Sequence, residues 1–272
     1  MVGGRISGMK AKKSLGQNFL KSKVALFKML EAGEVNDADT ILEVGPGKGA
    51  LTEKLLEKAK KVIAVEKDDR LISFLQEKFV AEVTAGKLAI VHEDILDFTP
   101  SDHQLATQNY KIIANIPYYI TGQFLRKFLE TANQPEKIVV MVQKEIADRI
   151  VARDGKENLL SLSIKAFGAP KKIMKVDKEN FSPSPKVDSA ILLIDKISKS
   201  FFLDNKITEE NFFTVIHAGF AHKRKMLFGN LKSIFSNKDL TQIFTTCGIP
   251  VKARAEDLPL QKWVPLINDL LS

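Results

Sequence analysis

Five short runs rich in Ile, Val, Leu and Ala recur through the first half of the chain, at residues 40–44, 62–65, 88–91, 111–115 and 137–142. None alternates apolar with polar residues, so each suits a strand covered on both faces rather than one facing water. The intervening stretches 50–59, 69–79 and 121–132 carry apolar residues at helical spacing. Parallel neighbours need a crossover of about a dozen residues, which these stretches supply. The expectation is an α/β fold built on a doubly wound, mostly parallel sheet.

Later segments extend the pattern and then end it. Residues 145–153 and 159–167 read as helices. The runs 172–176 and 187–194 follow, separated by a proline-bearing loop, and are expected to form an antiparallel hairpin at the sheet edge, for seven strands in all. Beyond Asp195 only helical stretches remain, at 209–220, 225–235, 239–247 and 260–271. The expected division is therefore 1–198 for the sheet domain and 199–272 for a small all-helical domain.

A chain of 272 residues with 44% apolar content buries a sizeable core. Its single cysteine, Cys247, excludes a disulfide scaffold and a thiolate zinc site, and suits a reducing compartment. No apolar run approaches the ~18 residues that span a bilayer, and residues 1–13 lack the apolar core of a secretory signal. A cytoplasmic protein without membrane association is expected, and a monomer, since no long apolar stripe is left for a partner. The formal charge of +8 is unevenly placed. Residues 1–30 hold seven basic and no acidic residues; 31–136 hold twelve basic against eighteen acidic. Residues 137–186 carry eleven against six, and 187–272 eleven against nine. An acidic middle between basic flanks points to an anionic partner met outside the middle, although solvated lysine faces look alike in sequence.

The first strand runs into Glu43-Val-Gly-Pro-Gly-Lys-Gly49, which opens a helix. Gly45, Gly47 and Gly49 permit a tight turn and close approach of a ligand to backbone. Glu66, with Lys67 after it, ends the second strand, where a carboxylate accepts from the ribose hydroxyls of a nucleoside. The spacing Gly45-x-Gly47-x-x-Ala50 also fits a dinucleotide fingerprint. Two features favour S-adenosylmethionine: Glu43, two residues before the first glycine, and Asp94-Ile95 after the third strand, which suit an adenine amine and ring. A phosphate-binding P-loop is excluded, because Gly-Lys is followed by Gly49 rather than Ser or Thr.

The fourth strand ends in Asn115-Ile-Pro117-Tyr118. Methylation of an exocyclic amine asks for alignment of a lone pair more than for a strong base. The Asn115 amide oxygen and the Pro117 carbonyl both accept from such an NH2, and Tyr118 offers a flat face for a base.

Asn115-Ile-Pro-Tyr118 resembles the Asn-Leu/Ile-Pro-Tyr motif of class I methyltransferases that modify adenine N6 in ribosomal RNA. Gly16-Gln-Asn-Phe-Leu20, the block from Phe181-Ser-Pro-Ser-Pro-Lys to Val-Asp-Ser-Ala190, and residues 220–231 are similar to further blocks of that family. The resemblance covers nearly the whole chain. It implies a Rossmann-like class I S-adenosylmethionine-dependent fold with a helical C-terminal domain. It also implies the activity of the small-subunit (16S) branch: conversion of two adjacent adenosines near the RNA 3′ end to N6,N6-dimethyladenosine, with four cofactor molecules consumed. Carried over by motif, Gln17, Asn18 and Leu20 clasp the cofactor, Gly45 and Glu66 contact loop and ribose, and Asp94 meets the adenine. Asn115 and Tyr118 meet the target base, and Phe181 closes an aromatic sandwich on its other face.

Read without the family, 17–20 is a helix-entry turn and Phe181 a loop anchor. Lys223, Arg224, Lys225, Lys232 and Arg254 are either a solvated face or contacts to RNA phosphates. His92, His103 and His217 lack metal-ligand spacing, so no metal is expected. The competing readings are a large-subunit (23S) adenine methyltransferase conferring antibiotic resistance, a non-catalytic nucleic-acid-binding factor on the same fold, and a nicotinamide-dependent dehydrogenase. The last leaves Asn-x-Pro-Tyr unexplained.

Overall fold

The computed structural model describes residues 11–12, 15–103, 105 and 109–271. Arg5, Lys10 and Lys13 of the basic N-terminus lie outside them. The chain divides into two compact units, Met1–Ala147 with Lys171–Ile194, and Asp148–Pro170 with Asp195–Ser272. Residues 148–170 cluster with the later helices rather than with the sheet. The reason is burial: Phe167 packs on Phe202 and Phe213, with ring centroids 5.0 and 6.3 Å away. The Ser198 amide also donates to the Phe167 carbonyl at 2.9 Å.

In the first unit the elements run β1 (Phe19–Leu20), α1 (Lys23–Ala32), β2 (Thr40–Val44), α2 (Ala50–Lys58), β3 (Lys61–Glu66), α3 (Asp69–Lys78), α4 (Val80–Thr84) and β4 (Leu88–His92). Then come β5 (Lys111–Ala114), α5 (Thr121–Glu130), β6 (Lys137–Gln143) and α6 (Lys144–Ile150), which crosses the boundary. After α7 (Leu159–Lys165) of the second unit the chain returns through β7 (Ala169–Val176), β8 (Phe181–Ser182) and β9 (Ser189–Asp195). The seven-stranded sheet has the order β4-β3-β2-β5-β6-β9-β7. Strands β4 to β6 pair in parallel, and β9 pairs antiparallel to β6.

At the edge β7 and β9 are neighbours, as expected of the last two runs, with β9 on the inner side between β6 and β7. Its residues are buried along nearly the whole strand, whereas β7 alternates and exposes Lys171 and Lys175. An apolar run needs cover on both sides, while lysines on the outermost strand discourage pairing with another chain.

Strand order reverses between β2 and β5, which are direct neighbours. At such a switch point the loops after adjacent strands diverge and leave a crevice at their carboxyl ends. The glycine turn after β2 and Asn115 after β5 both open there. Helix α1, which the periodic pattern did not single out, starts on a Ser22 cap and buries Ala25, Leu26, Met29 and Leu30. Before it, β1 pairs antiparallel with β8, placing Leu20 opposite Phe181 and Phe19 opposite Ser182. This two-stranded ribbon draws the N-terminal motif to the proline-rich one.

The second unit continues as α8 (Ser200–Asp204), α9 (Glu209–Phe220), α10 (Leu227–Lys232), α11 (Leu240–Thr246) and α12 (Leu260–Leu271). Trp263 is wholly buried, stacks on Phe220 at 5.8 Å and donates its indole N–H to the Leu258 carbonyl. No helix among the described residues is long and apolar enough to cross a membrane.

Candidate active site

A cavity of about 420 Å³ lies at the carboxyl ends of β2, β3 and β5, and residues 15–20 wall it on one side. Its first end is built by the glycine turn. The Gly45 amide donates to the Val65 carbonyl at 2.9 Å, tying the turn to β3. Gly47 has φ +59°, and a Cβ there would meet the Phe19 ring at 2.9 Å, so only glycine lets β1 approach this closely.

Glu66 is buried, and its carboxylate is held by backbone donors. Gly47 N–H reaches Oε2 at 3.2 Å, while Lys67 and Asp68 N–H both reach Oε1 at 2.9 Å. Burial raises its pKa, and these three donors oppose the rise. Glu43 is 1% exposed, and its Oε2 has no hydrogen-bond partner. Burial, reinforced by nearby Glu66, pushes its pKa up to about 8. The Thr52 hydroxyl tempers that rise but makes no hydrogen bond of normal geometry. Asp94 accepts from the Leu96 amide at 3.0 Å and from Lys67 Nζ at 2.5 Å. Burial works against its ionisation, but Lys67 and the Leu96 amide outweigh it and its pKa falls. Ile95 is buried in the wall beside it.

At the other end the Asn115 side-chain amide donates to the Asn18 carbonyl at 3.0 Å. That bond fixes the amide plane, and no described residue donates to Asn115 Oδ1. The Pro117 carbonyl accepts from the Ile120 amide at 3.2 Å, which closes the short turn at Tyr118–Ile120 and leaves one lone pair. Tyr118 lines the cavity, and its hydroxyl pairs with that of Ser189 at the start of β9. Gln17, Asn18 and Leu20 all line the cavity as well. The Gln17 side chain, however, is spent on protein: its oxygen accepts from the Lys12 amide at 2.7 Å and its nitrogen donates to Asp68 at 2.9 Å.

One expected residue is elsewhere. Phe181 is 2% exposed, packs in the core with Leu20, Ile191 and Leu193, and does not line the cavity. Successive strand residues face opposite ways, so β8 gives Ser182 to the cavity and turns Phe181 inward. The expected Tyr118–Phe181 sandwich is not assembled in this arrangement. Ser182, Ser189, Asp68 and Tyr119 were missed by sequence reasoning. Ser182 and Ser189 had a signal, as serines of the Phe181–Ala190 block.

Comparison with known proteins gives this geometry a lineage. The model of a family described as ribosomal RNA adenine dimethylase matches residues 8–271. The chain belongs to that family. A protein of Dehalococcoides mccartyi (strain CBDB1), named ribosomal RNA small subunit methyltransferase A, is 42% identical over 260 residues, covering 95% of this chain and 88% of that protein. A Fusobacterium nucleatum protein of the same name is 38% identical over 262 residues, covering 95% and 97%. Among solved structures, a dimethyladenosine transferase from Plasmodium falciparum has a TM-score of 0.73 at 26% identity, over 91% of this chain and 95% of that one. A 23S rRNA methyltransferase has a TM-score of 0.75 at 23% identity, over 94% and 100%, a likeness of fold. The adenine dimethylase family and this fold make the chain an S-adenosylmethionine-dependent methyltransferase.

In this family member the basic residues singled out by sequence belong to the helical unit. Lys223, Arg224 and Lys225 are exposed in the turn between α9 and α10, Lys232 ends α10, and Arg254 is exposed before a short 3-10 turn. The Leu227 amide donates to the Ala253 carbonyl at 2.9 Å, which draws the strings ending at Lys225 and Arg254 to one place. No group of three or more His, Cys, Asp and Glu suited to a metal ion occurs among the described residues.

Proposed function

We propose that this enzyme transfers methyl groups from S-adenosylmethionine to N6 of two adjacent adenosines near the 3′ end of 16S ribosomal RNA in the small subunit, as a cytoplasmic step of ribosome biogenesis. The observation that carries the reading is the Asn115 amide, oriented by the Asn18 carbonyl at the rim of a cavity whose other end holds Glu43 and Glu66. The choice of small-subunit RNA is supported by the two relatives named above.

The residues present suit the cofactor. A buried carboxylate with an unpartnered oxygen is costly unless a ligand supplies a donor, and Glu43 is such a group at the cavity wall. The ammonium of the methionine moiety is a donor of the right charge. Glu66, its oxygens already aligned by backbone, accepts the ribose hydroxyls. Asp94 accepts the adenine amine, and Ile95 packs on the ring, with Lys67 holding the Asp94 carboxylate in place. Gln17, Asn18, Leu20, Gly45 and Gly47 enclose the group through backbone and side-chain walls. When bound, the cofactor supplies a sulfonium-activated methyl group and leaves as S-adenosylhomocysteine.

The protein aims the acceptor at that methyl. Asn115 Oδ1 and the remaining lone pair of the Pro117 carbonyl accept from the two N–H groups of the target amine, drawing the nitrogen lone pair out of conjugation with the ring. Each transfer breaks the sulfonium–methyl bond, and the methylated nitrogen then loses a proton to water. In the second transfer the one remaining N–H keeps one of these acceptors. Tyr118 supports one face of the base, its ring fixed through the hydroxyl pair with Ser189. Phe181 backs the floor of this region from the core. A base handled in this way is extruded from its strand, and Lys223, Arg224, Lys225, Lys232 and Arg254 hold the phosphates of the RNA.

The test incubates the protein with tritiated S-adenosylmethionine and unmethylated small subunits, with large-subunit RNA in parallel. Label recovered as dimethyladenosine in 16S RNA is expected. Label only in 23S RNA, or none despite cofactor binding, overturns the assignment.

A further inference from the structure

Asp68 belongs to none of the motifs above, yet it is among the most heavily partnered side chains of the first unit. Its carboxylate is fully enclosed and receives five donors. Arg70 gives Nε at 2.9 Å, Nη2 at 2.6 Å and its backbone amide at 3.3 Å. Gln17 gives Nε2 at 2.9 Å, and Lys12 gives Nζ at 3.3 Å. Arg70 and these further donors hold the carboxyl far below the usual carboxylate range. As the N-cap of α3, Asp68 would need only the Arg70 amide. The donors from Lys12 and Gln17 serve no cap; Gln17 lies in the cavity wall and Lys12 just before it.

Two further bonds place this carboxylate between the two ends of the site. The Asp68 backbone amide donates to Glu66 Oε1 at 2.9 Å, so its position is tied to the ribose acceptor. On the other side Gln17 is followed by Asn18, whose carbonyl takes the Asn115 amide at 3.0 Å. Gln17 also accepts from the Lys12 amide at 2.7 Å, so the two donors to Asp68 are bonded to each other.

We propose that Asp68 is a positioning residue that latches Lys12 and residues 15–20 against the cofactor-binding turn and, through Gln17 and Asn18, sets the orientation of Asn115. Closing the wall over the cofactor and orienting the target-base amide are then one event. An enzyme wired in this way forms its acceptor site fully only when the cofactor wall is shut. This rests on the reading of the cavity as the S-adenosylmethionine site.

Asp68→Ser keeps a hydroxyl that caps α3 but is too short to reach Gln17 and Lys12. Calorimetry is expected to show S-adenosylmethionine binding weakened roughly tenfold. Turnover of unmethylated small subunits at saturating cofactor is expected to fall several-fold as well, because Asn115 loses its reference. Gln17→Leu, remote from the α3 cap, is expected to reproduce both losses, and the double variant to be no worse than Asp68→Ser alone. Wild-type affinity and turnover in either single variant overturn the latch, as do effects that multiply in the double variant. Because Gln17 also lines the cavity, weakened affinity with wild-type turnover at saturating cofactor in Gln17→Leu marks a wall contact alone and counts against the latch as well. Failure of the wild-type protein to bind S-adenosylmethionine refutes the reading of the cavity, and the latch with it.

Discussion

The two ends of the cavity are built by different means. At the cofactor end each group follows its own strand: Glu43 lies in β2, Glu66 closes β3, and Asp94 comes just after β4. Glu66 is held by Gly47, Lys67 and Asp68 amides, all from the turn or from its own neighbours. At the target end the groups are held by distant parts of the chain. Asn115 depends on Asn18, Tyr118 on Ser189, and the wall between them on the pairing of β1 with β8. Parallel strands deliver their carboxyl ends to one edge whatever follows elsewhere, so Glu43, Glu66 and Asp94 are brought together by sheet register, and the remote segment at residues 15–20 adds only a wall. The second exists only once remote segments have docked.

The sharpest way to break this contrast is Asn115→Ala. Methyl transfer is expected to fall by about a hundredfold or more, the scale of losing an aligned acceptor, while calorimetric cofactor affinity changes little. Retention of full activity sinks the role of Asn115, and equal loss of affinity erases the division into two ends.

Glu66→Ala tests the other end. S-adenosylmethionine binding is expected to weaken by roughly ten- to a hundredfold, about 1.4 kcal/mol per tenfold. Unchanged affinity in a titration refutes the ribose contact.

Glu43 sharpens the comparison because its neighbour Glu66 has backbone donors and it has an empty oxygen. A carboxyl whose pKa rises from 4.5 to about 8 on folding binds its proton more tightly in the folded state. Its contribution is therefore full below about pH 4.5 and is lost as pH rises towards 8. The difference in melting temperature between wild type and Glu43→Gln is expected to shift in favour of the variant across that window. A difference independent of pH shows that Glu43 is not buried as an acid. At neutral pH, ammonium binding should also release a proton from Glu43, seen as a buffer-dependent heat that the variant lacks.

The smallest effect is expected from Ser189→Ala. Loss of one hydroxyl partner of Tyr118 costs on the order of 1 kcal/mol, read as activity down a few-fold with cofactor affinity intact. A change in affinity with unchanged activity would reverse the assignment of Tyr118 and Ser189 to the target end.

How much of this was legible in the sequence follows the same line. Residues 40–44 and 62–65 announced strands, and Gly45 with Glu66 announced a nucleoside site, because each signal spans a few neighbouring residues or one βαβ unit. Helix α1 was not announced, since its apolar residues become a buried face only under the sheet. The placing of Phe181 was not legible either: its motif carries the aromatic to the right region, but strand alternation turns it inward and Ser182 outward. Asp68 gave no signal at all, because an aspartate before a helix reads as a cap until its distant donors are seen.

By itself, then, the chain's order of apolar runs determined a parallel sheet, its helical C-terminal segment and the carboxylates at the strand ends. Those follow from backbone periodicity and crossover length, which act over short stretches. Only the tertiary structure decided that β9 lies inside the sheet, that 148–170 joins the later helices, and that Asn18 sets the Asn115 amide. Each of these is a choice among partners far apart along the chain. It is settled by which apolar surface needs covering and which buried polar group needs a donor, and neither is known until the chain has closed on itself.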